Sequence, residues 1–423
     1  MKKNHLVFLI LTFVVAQVGA RLTAAHDDDD NGRRRRRPGW HVRSTPENVA
    51  WGEFPSSKAP VLVIQSGQTV SIDTLSHAGA TQGANLGAVP GNESNHPVTY
   101  LAQFGVKAHE VLKDVIDFWH SGPGRPRTGR GGHILTGPIY VQGAQPGDML
   151  EIQILDLTTR VPYGINNASQ TSGVLGANYA GNAGPFYSAA LDPEYPGRLS
   201  TTPPVIPSFG PVGNRHLIRT GKSRGREVAF FSEDITVPLA PFMGIMAVAP
   251  ENPIVGAPGV TVAGVQSSTP PGVYGGNMDL KDLKAGSTLY LPVFHPGALF
   301  YTGDPHSAQG DGEVSGTAIE HSLTGTFRFI VRKGTTISGP RAEDDTHYIM
   351  MGIDLDLDRA MRLAVQEVVN FLVQEKGLVP GYAYSLASVA VDFHVAEAVD
   401  QAQIVTGKIP KSIFRNARGR RDD

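Results

Sequence analysis

One short phrase occurs three times in the chain: Ser66-Gly67-Gln68-Thr69-Val70-Ser71-Ile72, Pro146-Gly147-Asp148-Met149-Leu150-Glu151-Ile152 and Ala285-Gly286-Ser287-Thr288-Leu289-Tyr290-Leu291. Each is a small residue, a glycine, a polar residue and then an alternating run. Glycine gives the backbone freedom for a tight turn, and alternation marks a strand with one face buried. The alternation is clear in residues 149–155, where Leu150, Ile152 and Ile154 share one face and Glu151 and Gln153 the other. It recurs in residues 326–332, where Phe327 and Phe329 oppose Arg328 and Arg332. With 49 glycines and 31 prolines in 423 residues, a mainly helical body is disfavoured, because both residues break helix interiors. Helical period appears in residues 358–376, with Met361, Ala364, Val365, Val368, Phe371 and Leu372 on one stripe and Gly377 placed to end it. A shorter helix is expected in residues 108–119, and another strand in residues 391–399. The stretch 163–213, rich in Gly, Pro, Asn and Ser, reads as an insertion or a functional cover. The fold class predicted is α+β, predominantly β: a β-sandwich-like body with a few peripheral helices.

The ends read differently from this body. Lys2 and Lys3 precede the apolar run Leu6–Val18, and small residues follow it, which is the layout of a secretory signal peptide. The run is shorter than the roughly 20 residues a spanning helix needs. The expected organisation is a signal peptide over residues 1–25, a charged linker over 26–40, a catalytic domain over 41–414 and a basic tail over 415–423. The blocks Asp27–Asp30 and Arg33–Arg37 are like-charge runs of the kind that stay solvated. An exported protein, periplasmic or secreted, is therefore expected, with no stable membrane association after cleavage.

Composition narrows the chemistry. A formal net charge of −2 argues against a nucleic-acid binder, which needs a basic footprint. The absence of cysteine excludes thiol nucleophiles, disulfides and thiolate metal sites. There is no G-x-S-x-G elbow, no G-x-x-x-x-G-K-[ST] loop and no H-E-x-x-H pair. Any metal must be held by imidazole and carboxylate, which suits Zn²⁺ or another borderline divalent ion. Three glycine-rich segments offer such ligands: residues 131–138 around His133, Gly275-Gly276-Asn277-Met278-Asp279, and residues 303–313, which carry Asp304, His306, Asp311 and Glu313. On pattern alone such loops are also ordinary Asp-rich turns. They lack the D-x-D-x-D-G spacing of a calcium loop. Asp354, Asp356 and Asp358 form an acidic run read as a helix start, where carboxylates face the positive end of the dipole. His77, His96, His109, His120, His216, His321, His347 and His394 have no ligand partner nearby in sequence and read as surface or satisfied histidines. His295 ranks slightly higher, because it lies near the third segment.

Taken in order, these segments resemble the acetamidase/formamidase family. The resemblance begins at Thr45-Pro46-Glu47-Asn48-Val49-Ala50-Trp51-Gly52 and runs through Gly132-His133 to Gly137-Pro138 and Pro146-Gly147-Asp148. It continues through Pro241-Phe242-Met243-Gly244, Gly275 to Asp279, Gly303-Asp304-Pro305-His306 and Gln309 to Glu313. It ends with Ala383-Tyr384-Ser385-Leu386 and Ile409-Pro410. The family's His-Pro-Val-Thr-Gly stands here as His133-Ile134-Leu135-Thr136-Gly137.

The resemblance implies a β-rich, metal-dependent hydrolase of small aliphatic amides that releases carboxylate and ammonia, and a homo-oligomer. It implies His133, Asp279 and His306 as metal ligands and Glu313 as general base and later proton donor. Asp311 is implied as a ligand or as the group that orients His306. A divalent metal, Zn²⁺ in first place, is the expected cofactor, with an additional structural Ca²⁺ as an option. The alternative from another class is an exported small-solute binding protein on the same scaffold without turnover.

Overall fold

The computed structural model describes residues 39–81, 93–122, 131–169, 172–176, 214–251 and 266–414. The chain divides into Met1–Arg37 and Pro38–Asp423, and every described residue lies in the second unit. The expected signal peptide, almost all of the charged linker, the basic tail and most of the 163–213 cover lie outside the described residues.

Two sheets form the body. One has nine strands, in the order Trp40–Val42, Thr69–Asp73, Leu323–Arg332, Met149–Thr159, Thr288–Pro292, Arg341–Glu343, His347–Asp354, Gln403–Pro410 and Asp392–Glu397. The other runs Gly275–Asn277, Phe242–Val248, Phe300–His306, Ile134–Gln142 and Val49–Trp51, with Leu62–Gln65 added in parallel to Ile134–Gln142. Their inner faces share one hydrophobic core, in which Ile72, Ile152, Phe327 and Phe329 of the first sheet meet Ile139, Ile245 and Phe300 of the second. This is the expected sandwich. The alternation predicted its faces: Phe327 and Phe329 are fully buried while Arg328 is exposed. Glu151 departs from the simple pattern. It is buried on the outer face, where Arg332 donates to it at 2.6 Å and Gln153 at 2.8 Å.

A smaller sheet of Thr236–Pro238, Arg226–Phe230, Asn214–Ser223 and Tyr163–Ala168 lies beside these two. Its last strand corrects the reading of 163–213 as cover throughout: the stretch opens with a strand that pairs with Asn214–Ser223.

The helices are peripheral. They are α1 (Pro97–Ala102), α2 (Lys113–His120), α3 (Leu357–Gln374) and α4 (Pro380–Ala390). The apolar stripe of α3 lies on the strands His347–Asp354 and Gln403–Pro410, with Ala360 and Ala364 against the sheet. Gly352 makes this possible, because a Cβ there would strike the backbone of Ala360 and Ala364. Asp356 caps α3 by accepting from Arg359 N at 3.0 Å, so the acidic run is a helix start, as expected. The predicted helix over 108–119 is split into the 3-10 turn Ala108–Glu110 and α2.

Candidate metal centre

The strand Phe300–His306 runs through the middle of the six-stranded sheet, and its last turn of side chains builds the site. Register with Phe242–Val248 places Phe242 opposite His306 and Ile245 opposite Gly303. On its other side Gly303 faces Leu135, which brings in His133 from just before the strand Ile134–Gln142. His77 arrives from the loop after Thr69–Asp73. Glu320 arrives by bridges to both His306 and Ile165. Asp279 follows the edge strand Gly275–Asn277 and is tied down where Met278 N and Asp279 N donate to Gly244 O.

Around Asp304 these chains converge. His77 Nδ1 lies 3.5 Å from Asp304 Oδ1, His133 Nε2 lies 3.8 Å from Asp304 Oδ2, and His306 Nε2 lies 3.3 Å from Asp304 Oδ2 and 3.2 Å from Glu320 Oε1. Two interlocking ligand groups result, His77–His133–Asp304 and Asp304–His306–Glu320. His77 Nδ1, Asp304 Oδ1, His306 Nε2 and Glu320 Oε2 are buried atoms without a hydrogen-bond partner. Unpartnered imidazole nitrogens and carboxylate oxygens that converge on one point are the donor arrangement a divalent cation requires. The imidazoles are held from behind. His133 Nδ1 contacts Ser268 Oγ at 2.9 Å, and His306 Nδ1 contacts Gln309 Oε1 at 3.0 Å. A carbonyl oxygen only accepts, so Gln309 fixes the His306 proton on Nδ1 and leaves Nε2 as a lone pair facing inward. The residues fit a divalent metal.

Beside this centre lies a second, acidic group made of Asp279, Glu313, Glu397 and Asp400. His306 joins the two: its Nδ1 is 3.5 Å from Asp279 Oδ1 and its Nε2 is 4.0 Å from Glu313 Oε1. Burial and neighbouring carboxylates push Asp279, Glu313 and Glu397 well above the carboxylate range. Burial also pushes Asp400 up to about 6. At Asp304 burial acts in the same direction, but His133 and His306 outweigh it and hold the carboxyl well below its ordinary value. At His306 burial opposes the charge, and Glu320 and Asp304 overcome it. Both shifts describe a pocket that attracts positive charge.

The backbone is strained where the ligands sit. Asp279, Asp304 and Glu313 have φ of 43°, 48° and 43°. They are three of the seven non-glycine residues with positive φ among the described residues. Such strain collects at functional sites, where the surrounding structure enforces it.

Among the residues chosen from sequence, the structure brings together Asp279, His306 and Glu313, and sets His133 on the far side of Asp304. Asp311 is not brought in. It faces away, 3.1 Å from Lys281 Nζ and 3.6 Å from His394 Nδ1, and Gln309 holds the position at His306 expected of it. His77 is a correction: read as a surface or satisfied histidine, it is a member of the centre. His295 is remote and contacts Pro250 O at 2.9 Å. Glu320, Glu397 and Asp400 had no motif to mark them. Asp304 had one, because it stands inside the segment richest in ligands.

The comparisons with known proteins bear on the same residues. The model of the Acetamidase/Formamidase family matches residues 128–416, which include every residue of both groups except His77. The chain belongs to the acetamidase/formamidase family. It is 31% identical over 204 residues to an acetamidase of Mycolicibacterium smegmatis, covering 43% of this chain and 49% of that protein. It is 29% identical over 193 residues to a formamidase of Methylophilus methylotrophus, covering 43% and 47%. The chain spans about half the length of the curated relatives it matches. The crystal structure of an acetamidase from Yersinia enterocolitica superposes with a TM-score of 0.64 at 25% identity, covering 90% of this chain and 95% of that one.

Proposed function

We propose that this protein hydrolyses a small aliphatic amide to a carboxylate and ammonia, using a divalent metal held by His77, His133, Asp304, His306 and Glu320. The observation that carries the reading is the convergence of orphaned imidazole nitrogens and carboxylate oxygens on Asp304, in a family whose named relatives are amidases. Three imidazoles with two carboxylates suit a borderline ion, with Zn²⁺ the first choice. When bound, such an ion makes a water nucleophilic near pH 7 and polarises the amide carbonyl.

The chain's own groups do the rest. Ser268 and Gln309 hold His133 and His306 in orientation. Glu313 lies at the junction of the two groups, 4.0 Å from His306 Nε2 and 5% exposed, and serves as general base. It takes the proton of the attacking water and returns it to the departing nitrogen. Access is from the side of His77 and His133, whose side chains are 29% and 13% exposed, whereas His306 and Glu320 are closed off.

The test is ammonia release from formamide, acetamide and propionamide by purified protein, before and after chelation, with Zn²⁺ add-back. The expected outcome is metal-dependent release that Glu313→Gln lowers by about 10²–10⁴-fold. Folded, metal-loaded protein that releases no ammonia from any of the three would overturn the reading in favour of solute binding.

A further inference from the structure

We propose that the acyl chain of the substrate lodges in a small cavity beside Glu320, and that Leu101, Leu112 and Val115 set the chain length it admits, an inference that rests on the amide-hydrolysis reading. The cavity adjoins the histidine centre. Its lining includes Glu320, a candidate metal ligand, and Ser76 and Ala78, the neighbours of His77 in the chain. Glu320 Oε1 faces the centre, 3.2 Å from His306 Nε2, and accepts from Ala318 N at 3.1 Å. Glu320 Oε2 lies 3.7 Å from His77 Nδ1. The cavity is therefore on the side of His77, from which the centre is reached.

The helical segment supplies the wall that closes it. Leu101 lies on α1 and Val115 on α2, both buried, and Leu112 is the residue that starts α2. Leu101 packs directly on the loop that carries His77: a Cβ on Gly79 would lie 3.1 Å from Leu101 Cδ2. The space open to the centre of a water-sized sphere is about 20 Å³, which holds one group the size of a water molecule or a methyl. A buried water takes about 2–4 hydrogen bonds. The leucines and the valine offer it none, and the serines are already engaged, Ser322 Oγ by Ser76 N at 3.0 Å and Ser76 Oγ by Ala78 N at 3.1 Å. An alkyl group suits such a lining better.

The wall is also held in place. Both oxygens of Glu110 accept from Arg219 Nη1 at 3.0 Å, and Arg219 Nη2 donates to Gly105 O at 2.6 Å. Asp114 is held by Arg43, Ser44 and Arg160. These anchors bracket Leu112 and adjoin Val115, so the wall does not recede for a longer chain. A fixed apolar wall discriminates by size, one methylene being worth about 10–200-fold. The wall lies outside residues 128–416, which the family model matches. Selection of the acyl chain is thus assigned to a different part of the sequence from the candidate ligands other than His77.

In the test, the full chain is loaded with Zn²⁺, and binding of acetohydroxamate, propionohydroxamate and butyrohydroxamate is measured by calorimetry. Values of kcat/KM for acetamide, propionamide and butyramide are measured alongside. Hydroxamates chelate the metal and carry the same acyl chains, so they probe the cavity whether or not an amide is turned over. In both series the acetyl compound is expected to be preferred over the propionyl compound by about 10–200-fold. Leu101→Ala and Val115→Ala are each expected to raise the propionyl-to-acetyl ratio about tenfold or more, with bound Zn²⁺ unchanged. Leu112 is only half-buried, so Leu112→Ala serves if the other two variants do not fold. A ratio equal in wild type and every folded variant, or no binding of any hydroxamate, would overturn the proposal and leave the cavity to a buried water. Chain-length selection among hydroxamates without ammonia release from any amide would instead support the cavity and sink the amidase reading.

Discussion

At the scale of single residues, the histidine centre depends on side chains outside its candidate ligand set. Ser268 and Gln309 fix the rings of His133 and His306, and Gln309 Nε2 also donates to Asp279 O at 2.7 Å. Removing such a supporting hydrogen bond costs about 10–100-fold in metal affinity. Ser268→Ala and Gln309→Ala are each expected to show that loss in a competition assay with a chromogenic chelator. Tm of the metal-free protein should move little, because neither change opens a large cavity. Glu313→Gln should leave Tm of the metal-free protein nearly unchanged, since burial and neighbouring carboxylates already favour the neutral form of that carboxyl. A thermal scan in the presence of chelator checks this.

At the scale of elements, the strand Phe242–Val248 acts as the floor of both sites. A Cβ on Gly244 would run into Asp279 Oδ1 and would lie 2.9 Å from Asp304 O and 3.0 Å from Asp304 Oδ2. The methyl would meet a carboxylate of the acidic group and the central carboxylate of the histidine centre at once. Gly244→Ala is expected to cost about 1–3 kcal/mol by overpacking. It should also lower bound metal to well under one ion per chain, read by denaturant unfolding and metal analysis. By contrast, Asp356→Ala removes only the cap of α3, on the nine-stranded sheet. Its expected cost is about 1 kcal/mol, with metal content unchanged.

At the scale of the whole molecule, a buried ionic network joins the first strands to α2 and the large sheet. Asp114 of α2 is 1% exposed and accepts from Arg43 at 2.7 Å, Ser44 at 3.0 Å and Arg160 at 2.8 Å. Burial raises its pKa, but the hydrogen bonds and charge of Arg160, with Ser44 and Arg43, outweigh it and leave the carboxyl below its ordinary value. A carboxylate with a depressed folded pKa adds stability that is complete above its unfolded value of about 3.9 and is lost as pH falls through the folded value. Tm should therefore drop as pH is taken below about 4, and part of that drop should be missing in Asp114→Asn. The variant should itself be less stable at pH 7 by about 1–3 kcal/mol, because Arg160 loses one of two carboxylate partners and keeps Asp73 at 3.4 Å. Thermal scans across pH, in chelator so that metal loss does not contribute, separate the two effects.

The sandwich was legible in local pattern. Alternation at Met149–Thr159 and Leu323–Arg332, and the glycine turns that precede three of the strands, require only neighbouring residues and solvent to be read. The stripe and cap of α3 are local in the same sense. Motif order made the family legible too, and with it Asp279, His306 and Glu313. His77, Glu320, Glu397 and Asp400 were not legible, because each has an unremarkable neighbourhood in sequence. Their role comes from sheet register, which sets Glu320 against His306 and Glu397 against Gly312 across many residues of chain. Asp311 erred in the other direction: close in sequence to Glu313, it points out to Lys281 because the turn at Gly312 and Glu313, both with positive φ, sends successive side chains to opposite sides. Sequence alone determined which ligand types the protein has and that thiol chemistry is closed to it. Only the tertiary structure decided which of those ligands meet and that they divide into a histidine centre and an oxygen-only group. Coordination depends on distance in space, and the chain sets that distance through long-range strand pairing.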